Sequence, residues 1–228
     1  MVENTLATFS QCGQPEQVLK LNPVPVREPK AGEILIRMLA APINPADINF
    51  IQGVYGLKPD FPDSPVGMEG CGLVEVTRSP AFLPGDQVIL LHGIGTWTKY
   101  LTASADLFLK LKVPVDPTQA AMLKINPPTA YRLLTGYREL QTGEWLVQNA
   151  ANSGVGRCVM QMARLLGFKT INLVRRGDRW AEELRTLGAD VVVGQDDPRA
   201  VHQVLAALGG TRPLLGLNAV GGESAIRL

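Results

Sequence analysis

Residues 144–167 read EWLVQNAANSGVGRCVMQMARLLG, and this stretch decides the fold. Glu144–Ala150 predicts a buried strand, and the small residues that follow predict a tight turn. Beyond the turn we predict a helix that ends at Gly167 and whose buried face carries apolar residues at helical spacing: Val155, Val159, Met162, Ala163 and Leu166. A strand, a glycine-containing turn and a helix in this order are typical of a parallel α/β sheet.

The chain after this stretch continues to alternate between strands and helices. The pattern predicts strands at Thr170–Val174, Asp190–Val193 and Leu214–Leu217, and helices at Trp180–Leu187 and Ala200–Leu208. This spacing indicates a doubly wound parallel sheet with helices on both faces. Because a complete dinucleotide-binding sheet has about six strands and the pattern supplies fewer, we expect an incomplete doubly wound sheet over residues 119–228, in a truncated chain.

The chain before Pro117 has a different pattern and is rich in strands. Strands are predicted at Glu33–Leu39, Gly72–Val76 and Asp86–Leu90. Prolines are dense between Pro23 and Pro65, which excludes long helices there. We therefore expect a β-rich, barrel-like domain with functional loops over residues 1–118, so that the whole chain belongs to the α/β class.

The overall composition indicates a globular protein. Hydrophobic residues make up 46% of the chain, and 22 Lys and Arg residues stand against 21 Asp and Glu residues. This balance lacks the basic excess typical of nucleic-acid binding. No apolar run approaches a membrane span, and the first 13 residues lack the arginines of a transit peptide. We expect a cytoplasmic protein, or a mitochondrial matrix protein if a presequence was removed.

The cysteines and histidines argue against disulfides and structural zinc. Cys12, Cys71 and Cys158 are far apart in the sequence and form no Cys-x-x-Cys pair. His92 and His202 are the only histidines, and neither has a partner at the spacing of metal ligands. We therefore expect a reducing compartment and no metal.

The turn before the first helix of the doubly wound region predicts a site for a pyrophosphate. Measured against Gly-x-Gly-x-x-Gly, its three positions hold Ala151, Ser153 and Gly156, with Gly154 as an additional glycine. Backbone N–H groups and the helix dipole favour an anion at such a turn. A purely structural strand-to-helix turn is the alternative.

The end of the next strand indicates which nucleotide is bound. NAD enzymes carry an acidic residue about 20 positions beyond the glycine turn, where it accepts the ribose 2′-hydroxyl. This chain has Arg175 and Arg176 there, and two guanidinium groups suit a 2′-phosphate. The pair predicts NADPH, with a solvated basic loop as the alternative.

Four segments resemble one protein family. They are APINPADIN at 41–49, IQGVYG at 51–56, NPPTAYR at 126–132 and QNAANSGVG at 148–156. Together they resemble the medium-chain dehydrogenase/reductase superfamily, specifically its zinc-free enoyl-thioester reductase branch. The resemblance implies a GroES-like domain followed by a Rossmann domain, a homodimer in the full-length enzyme and a C-terminal third that this chain lacks.

The resemblance also implies roles for individual residues. It makes Tyr55 the catalytic proton donor and sets Asn126 against the nicotinamide end of NADPH. The remaining cofactor-binding candidates are Asn152, Ser153, Gly154, Val155, Gly156, Arg175, Arg176 and Gly177. Asn44 and Trp97 are candidates for the substrate pocket, although a turn residue and a core residue are the alternatives.

Zinc alcohol dehydrogenases of the superfamily carry a Cys in the first loop and a Gly-His-Glu further on. Here the first loop reads Asn44-Pro45-Ala46-Asp47 and the second site reads Gly67-Met68-Glu69. An amide and a thioether do not replace an imidazole and a thiolate for Zn²⁺. Alcohol oxidation by that route is therefore excluded, and hydride transfer to an activated double bond remains.

We accordingly expect NADPH-dependent reduction of trans-2-enoyl thioesters, carried on CoA or acyl-carrier protein, in fatty-acid synthesis. A zinc-free NADPH quinone oxidoreductase is the alternative enzyme. An inactive truncated fragment or binding module is the alternative of another class. For the 228-residue chain itself we expect no activity and poor stability, because its last strand would leave an apolar edge uncovered.

Overall fold

The chain divides into two compact units. A computed structural model describes residues 3–228, apart from the side chain of Asp178. The first unit ends at Ile125 and the second begins at Asn126. Each unit has its own sheets and hydrophobic clusters.

The first unit contains two antiparallel sheets and short helices. Its strands are β1 (Glu3–Phe9), β2 (Lys20–Pro25), β3 (Glu33–Ala40), β4 (Ser64–Pro65), β5 (Cys71–Thr77), β6 (Gln87–Leu90), β7 (Tyr100–Ser104) and β8 (Phe108–Lys110). Its helices are α1 (Pro15–Val18), α2 (Pro45–Ile51) and α3 (Pro117–Ala120), with a 3₁₀ turn at Ala105–Leu107. The strand orders are β2-β1-β4 and β7-β3-β5-β6-β8. The three strands predicted here are confirmed as β3, β5 and β6.

Alternation along the strands builds the core of the five-stranded sheet. Ile34 and Ile36 of β3 are fully buried and pack with Val74, Val88 and Leu90. A second cluster buries Phe50 and Ile51 of α2 against Phe9, which holds that helix onto the unit. In the proline-dense segment between Pro23 and Pro65, the longest described helix is α2, with seven residues.

The second unit contains a four-stranded parallel sheet. Its strands are β9 (Trp145–Gln148), β10 (Lys169–Val174), β11 (Val191–Gly194) and β12 (Pro213–Leu217). Its helices are α4 (Asn126–Thr135), α5 (Gly154–Leu166), α6 (Gly177–Leu187), α7 (Ala200–Leu208) and α8 (Gly222–Ile226). The strand order is β11-β10-β9-β12 with every pairing parallel. This is the arrangement of the first four strands of a doubly wound nucleotide-binding sheet.

Helices cover both faces of this sheet, as the sequence predicted. On one face Leu146 packs with Val159 and Ala163 of α5. On the other face Trp145 and the strands beside it pack with Leu208 of α7. The α/β doubly wound prediction is therefore confirmed.

Two details of the predicted helices differ. Leu166 was expected on the buried face of α5 but is 39% exposed, because it occupies the last turn before the left-handed residue Gly167. Helix α6 begins at Gly177 instead of Trp180, since residues 177–179 already follow the helical path after β10. Its end at Leu187, with Gly188 in the left-handed conformation, is as predicted.

Candidate functional site

The turn between β9 and α5 presents the first turn of a 13-residue helix. The Oγ atom of Ser153 accepts a hydrogen bond from the backbone N–H of Gly156 at 3.1 Å, which caps α5. Gly156 lies against the turn, because a Cβ there would be 2.6 Å from the carbonyl oxygen of Ala151. The N–H groups of Gly154 and Val155 belong to the first helical turn, where they can bind an anion.

Asn126 lies against the same turn. A Cβ at Gly154 would be 2.6 Å from Nδ2 and 3.0 Å from Cγ of Asn126, so the amide occupies the space that any other side chain would need. An Asn directly before Pro127 and Pro128 is a typical N-cap, but α4 begins with Asn126 itself. Pro127 and Pro128 allow this early start, since they have no N–H group to satisfy in the first turn. The structure thus brings two predicted site residues into contact.

Asn152 is half-buried, and its carbonyl oxygen accepts a hydrogen bond from Nε of Arg157 at 3.1 Å. The Arg157 guanidinium also pairs with Glu183 of α6 at 2.6 Å and lies over the ring of Trp180 at 5.5 Å. These contacts fix the backbone of Asn152 just before α5 begins.

Buried polar side chains beneath the turn link three strands. Nε2 of Gln148 donates to the carbonyl oxygen of Gly156 at 3.1 Å and to Oδ1 of Asn172 at 2.8 Å. Nδ2 of Asn172 donates to Oγ1 of Thr170 at 2.9 Å and to the carbonyl oxygen of Val191 at 3.0 Å. Gln148, Thr170 and Asn172 are at most 2% exposed. This network ties the first turn of α5 to the sheet.

A pocket of about 450 Å³ lies beyond the carboxyl ends of β10 and β11. Four arginines line it: Arg175, Arg176, Arg185 and Arg199. Arg199 pairs with Asp197 at 3.2 Å. Within the described part of the chain, the exposed side chains of Arg175 and Arg176 form no ion pair, so their guanidinium groups can bind an anionic ligand.

Two glycines shape this pocket. A Cβ at Gly177 would lie 2.5 Å from the backbone nitrogen of Gly194, and one at Gly194 would lie 3.3 Å from the nitrogen of Gly177. The start of α6 therefore approaches the end of β11 more closely than other residues would permit. Gly177 contributes its small size as well as its backbone to the pocket.

Tyr55 lies in a loop that continues directly from α2. The backbone N–H groups of Val54 and Tyr55 both donate to the carbonyl oxygen of Asn49, at 2.9 and 3.1 Å. Gly53 has φ +76°, and a Cβ there would be 2.6 Å from Sγ of Cys12. The loop backbone is thus held on both sides, while the Tyr55 side chain is 38% exposed.

Asn44 has buried partners in the first unit. Its Nδ2 donates to Oε1 of Glu69 at 2.8 Å, and its backbone N–H donates to Oδ2 of Asp47 at 2.8 Å. Oδ1 of Asp47 accepts from the backbone N–H of Met68 at 3.1 Å. Oε2 of Glu69 accepts from the backbone N–H of Ile125 at 3.1 Å. Asp47 and Glu69 are both 1% exposed, so this cluster is buried.

Burial also governs the electrostatics of the cluster. Loss of hydration raises the pKa of Asp47 and of Glu69 above the usual values, although the hydrogen bonds that each carboxylate accepts act in the opposite direction. Burial lowers the pKa of Lys124, whose Nζ donates to the carbonyl oxygen of Met68 at 2.5 Å. Two carboxyl groups and one amine therefore share a site with little water.

Trp97 is half-buried and fixed by its backbone and its ring. Its Nε1 donates to the carbonyl oxygen of Pro42 at 3.2 Å, and its backbone N–H donates to Val66 at 3.1 Å. A Cβ at Gly67 would lie 2.5 Å from the ring. The ring also lines a separate pocket of about 340 Å³ beside Ile43.

Among the described residues, no group of three or more His, Cys, Asp or Glu side chains could hold a metal ion. No helix within residues 3–228 has both the length and the apolar character needed to cross a membrane.

The predicted residues therefore fall into three groups. Asn126 and residues 152–156 lie at the turn after β9, residues 175–177 line the arginine pocket, and Tyr55, Asn44 and Trp97 belong to the first unit. Sequence reasoning missed Asp47, Glu69 and Lys124, although charged residues inside apolar stretches were a signal. It also missed Arg185 and Arg199, whose separation from Arg175 in the sequence concealed their common pocket.

Three comparisons identify known proteins that this chain resembles. The alcohol dehydrogenase GroES-like domain family matches residues 30–113. The mitochondrial enoyl-[acyl-carrier-protein] reductase of Xenopus tropicalis is 40% identical over 222 residues, which are 95% of this chain and 63% of that protein. The chain spans between 59% and 65% of the length of the curated relatives compared.

Solved structures share the fold over nearly the whole chain. The complex of Etr1p with NADP and crotonyl-CoA has a TM-score of 0.88 and 30% identity, over 98% of this chain and 71% of its own. Etr1p also forms the mitochondrial 2-enoyl thioester reductase Etr1p/Etr2p heterodimer from Candida tropicalis. A quinone oxidoreductase from Pseudomonas syringae has a TM-score of 0.83 and 27% identity, over 98% of this chain and 69% of its own. The chain therefore belongs to the medium-chain dehydrogenase/reductase superfamily, in the zinc-free branch that contains the enoyl-thioester reductases.

Proposed function

We propose that the protein reduces the 2,3 double bond of trans-2-enoyl thioesters, carried on CoA or acyl-carrier protein, with NADPH in fatty-acid synthesis. The observation that carries the proposal is the pocket of four arginines at the carboxyl ends of β10 and β11, in the same unit as the capped turn of α5. Together they match the two charged parts of NADPH, its 2′-phosphate and its pyrophosphate.

The residues present fit this cofactor. The exposed guanidinium groups of Arg175 and Arg176 are available to the 2′-phosphate, and Gly177 leaves room because a Cβ there would reach the backbone of Gly194. The N–H groups of Gly154 and Val155 would bind the pyrophosphate at the start of α5. Asn126, whose amide packs on Gly154, would contact the nicotinamide end.

When bound, NADPH supplies the hydride that adds to C3 of the enoyl thioester. The chain's own part in the reaction is the proton that C2 receives, and Tyr55 is the donor that we propose. A phenolic hydroxyl can act as a general acid, and the exposure of Tyr55 leaves this side chain accessible. Trp97 would form part of the pocket wall. The amide of Asn44 donates a hydrogen bond to Glu69, so Asn44 would affect the substrate only indirectly, by holding its loop in place.

The compartment and the assembly belong to the same proposal. The curated relatives are named mitochondrial, which favours the matrix over the cytoplasm. We expect a homodimer for the native full-length protein, since Etr1p pairs with a second reductase chain. Sedimentation at micromolar concentration would measure the stoichiometry.

A quinone reductase is the second candidate, because the Pseudomonas syringae enzyme shares the fold. Paired assays of the native full-length protein with NADPH and either crotonyl-CoA or a benzoquinone separate the two. We expect kcat/KM for crotonyl-CoA to exceed that for the quinone at least tenfold. A quinone preference would overturn the proposal, and turnover of neither substrate, with intact NADPH binding, would favour a binding module.

A further inference from the structure

We propose that Asp47 and Glu69 are positioning residues for Tyr55: their carboxylates fix helix α2, and α2 fixes the backbone of the loop that carries the phenol. This inference rests on the proposed function for its catalytic consequence. Its structural part stands on the contacts of the first unit alone.

Asp47 lies between two backbone segments and accepts a hydrogen bond from each. One oxygen accepts the N–H of Asn44 before α2, and the other accepts the N–H of Met68, which lies in a different loop. The carboxylate thus joins the start of α2 to the segment before β5. An amide in its place could accept only one of these hydrogen bonds, and its NH₂ group would face the other N–H donor.

Glu69 supports Asn44 from the other side. It accepts the Asn44 amide and the N–H of Ile125 through its two oxygens. Its own carbonyl oxygen accepts the hydroxyl of Thr96 at 2.7 Å. Asn44 is therefore held by both carboxylates, through its backbone and through its side chain. A buried pair that is fully hydrogen-bonded fixes geometry more strongly than a solvated pair.

Helix α2 is connected to Tyr55 through backbone hydrogen bonds. The helix has seven residues, so its two ends are only about 10 Å apart. Phe50 and Ile51, near its far end, are buried in the apolar cluster that holds the helix onto the unit, and the hydrogen bonds of Asp47 add a directional restraint at its start. The carbonyl oxygen of Asn49 then accepts the N–H groups of Val54 and Tyr55. A change in the direction of α2 is passed to Tyr55 through these two bonds.

Hydrogen exchange of the full chain measures this coupling directly. In Asp47→Asn we expect the amides of Val54 and Tyr55 to exchange at least tenfold faster, with the amides of β5 unchanged within twofold. Glu69→Gln, which keeps the side-chain volume, should have a smaller effect of the same kind. Asp106→Asn and Glu75→Gln make the same chemical changes at exposed positions of this unit and should alter none of these amides.

Kinetics of the native full-length protein provides the second readout. We expect kcat for crotonyl-CoA to fall about tenfold in Asp47→Asn, with KM and the NADPH dissociation constant within threefold of the wild type. If Asp47→Asn does not fold, hydrogen exchange and kcat are measured on Glu69→Gln instead, and its results test the inference.

Three results would overturn the inference. The first is that the amides of Val54 and Tyr55 exchange at the wild-type rate. The second is that they exchange faster together with the amides of β5, as in general destabilisation. The third is that kcat is unchanged although the loop amides exchange faster. A wild-type protein that reduces no enoyl thioester would refute the proposed function, while exchange would still decide whether the carboxylates position the loop.

Discussion

Gly154 is a residue of the proposed site at which one added methyl group would have a direct consequence. Its missing Cβ provides the space that the amide of Asn126 occupies, with Nδ2 only 2.6 Å from the ideal Cβ position. We expect Gly154→Ala to displace Asn126, weaken NADPH binding by tenfold or more and destabilise the second unit by about 1–3 kcal/mol. Differential scanning calorimetry and fluorescence titration measure the two effects.

Two further variants isolate the cause of that effect. Gly216→Ala is a matched control, since the Cβ at that position would lie 4.0 Å from the nearest side-chain atom, an ordinary contact. The double variant Gly154→Ala/Asn126→Ala should recover part of the lost stability, because the clash is then absent. Additive losses in the double variant would mean that Asn126 is not what restricts position 154.

Tyr55 is the residue on which the proposed chemistry depends. Tyr55→Phe keeps the ring and removes only the hydroxyl, so fold and NADPH affinity should survive while kcat falls at least a hundredfold, as expected when a general acid is lost. Tyr137→Phe, at a side chain that is 79% exposed, is the control. A fall of less than about fivefold would make Tyr55 a wall of the pocket, and a loss of NADPH binding would make it a cofactor-positioning residue.

Residue by residue, the sequence predicted the parts of the site that depend on chain neighbours. Ser153, Gly154 and Gly156 were recognisable because the turn between a strand and a helix needs small residues and a cap. The pairing of Asn44 with Glu69 spans 25 positions, and no local pattern carries that information. Only the folding of two loops against each other brings those groups together.

Among the elements, the ends of helices were predictable where a glycine, which readily adopts the left-handed conformation, follows the helix. Gly167 and Gly188 adopt the left-handed conformation, and both ended their helices where the sequence placed the ends. The start of α6 was not predicted, because Gly177 has a low helix propensity, and in the structure it lies close to the backbone of Gly194. Tertiary contact there overrides local preference.

The segment before β5 should make the first unit sensitive to pH through Glu69. Burial raises the pKa of Glu69 in the folded state above its value in the unfolded chain. Between those two values the folded state binds more protons, so this group's contribution to stability is present at low pH and is lost as pH rises. Glu69→Gln removes the contribution. We therefore expect the wild type to be more stable, relative to this variant, at pH 5 than at pH 8.

Urea unfolding followed by the fluorescence of Trp97, in a background with Trp145 and Trp180 replaced by Phe, would report the first unit. Glu75→Gln, at an exposed ion pair with Arg37, is the control and should differ little from the wild type. An equal difference between wild type and Glu69→Gln at both pH values would contradict the raised pKa.

For the whole molecule, the two units differ in how far sequence alone could describe them. The order β11-β10-β9-β12 follows from alternating strands and helices, because right-handed crossovers leave few arrangements of a parallel sheet. The order β7-β3-β5-β6-β8 does not follow from the pattern, since β3 pairs with two strands that come later in the chain. Antiparallel pairing between distant segments depends on packing that periodicity does not encode.

Because each unit has a separate core, a ligand that binds within one unit should stabilise that unit. The arginine pocket lies wholly in the second unit, so adenosine 2′,5′-bisphosphate, which carries the 2′-phosphate without the nicotinamide, should bind and stabilise that unit. At a concentration 100 times its dissociation constant, the ligand should add about 2.7 kcal/mol. For a unit of about 100 residues this corresponds to a rise in Tm of roughly 10–20 °C. Adenosine 5′-monophosphate at the same concentration should give a much smaller rise in Tm. Arg176→Ala should remove most of the difference in Tm between the two nucleotides. Arg212→Ala, at an exposed site of the same unit, should leave that difference unchanged. Equal stabilisation by both nucleotides would show that the arginines do not bind the 2′-phosphate. NADPH would then bind no more tightly than NADH.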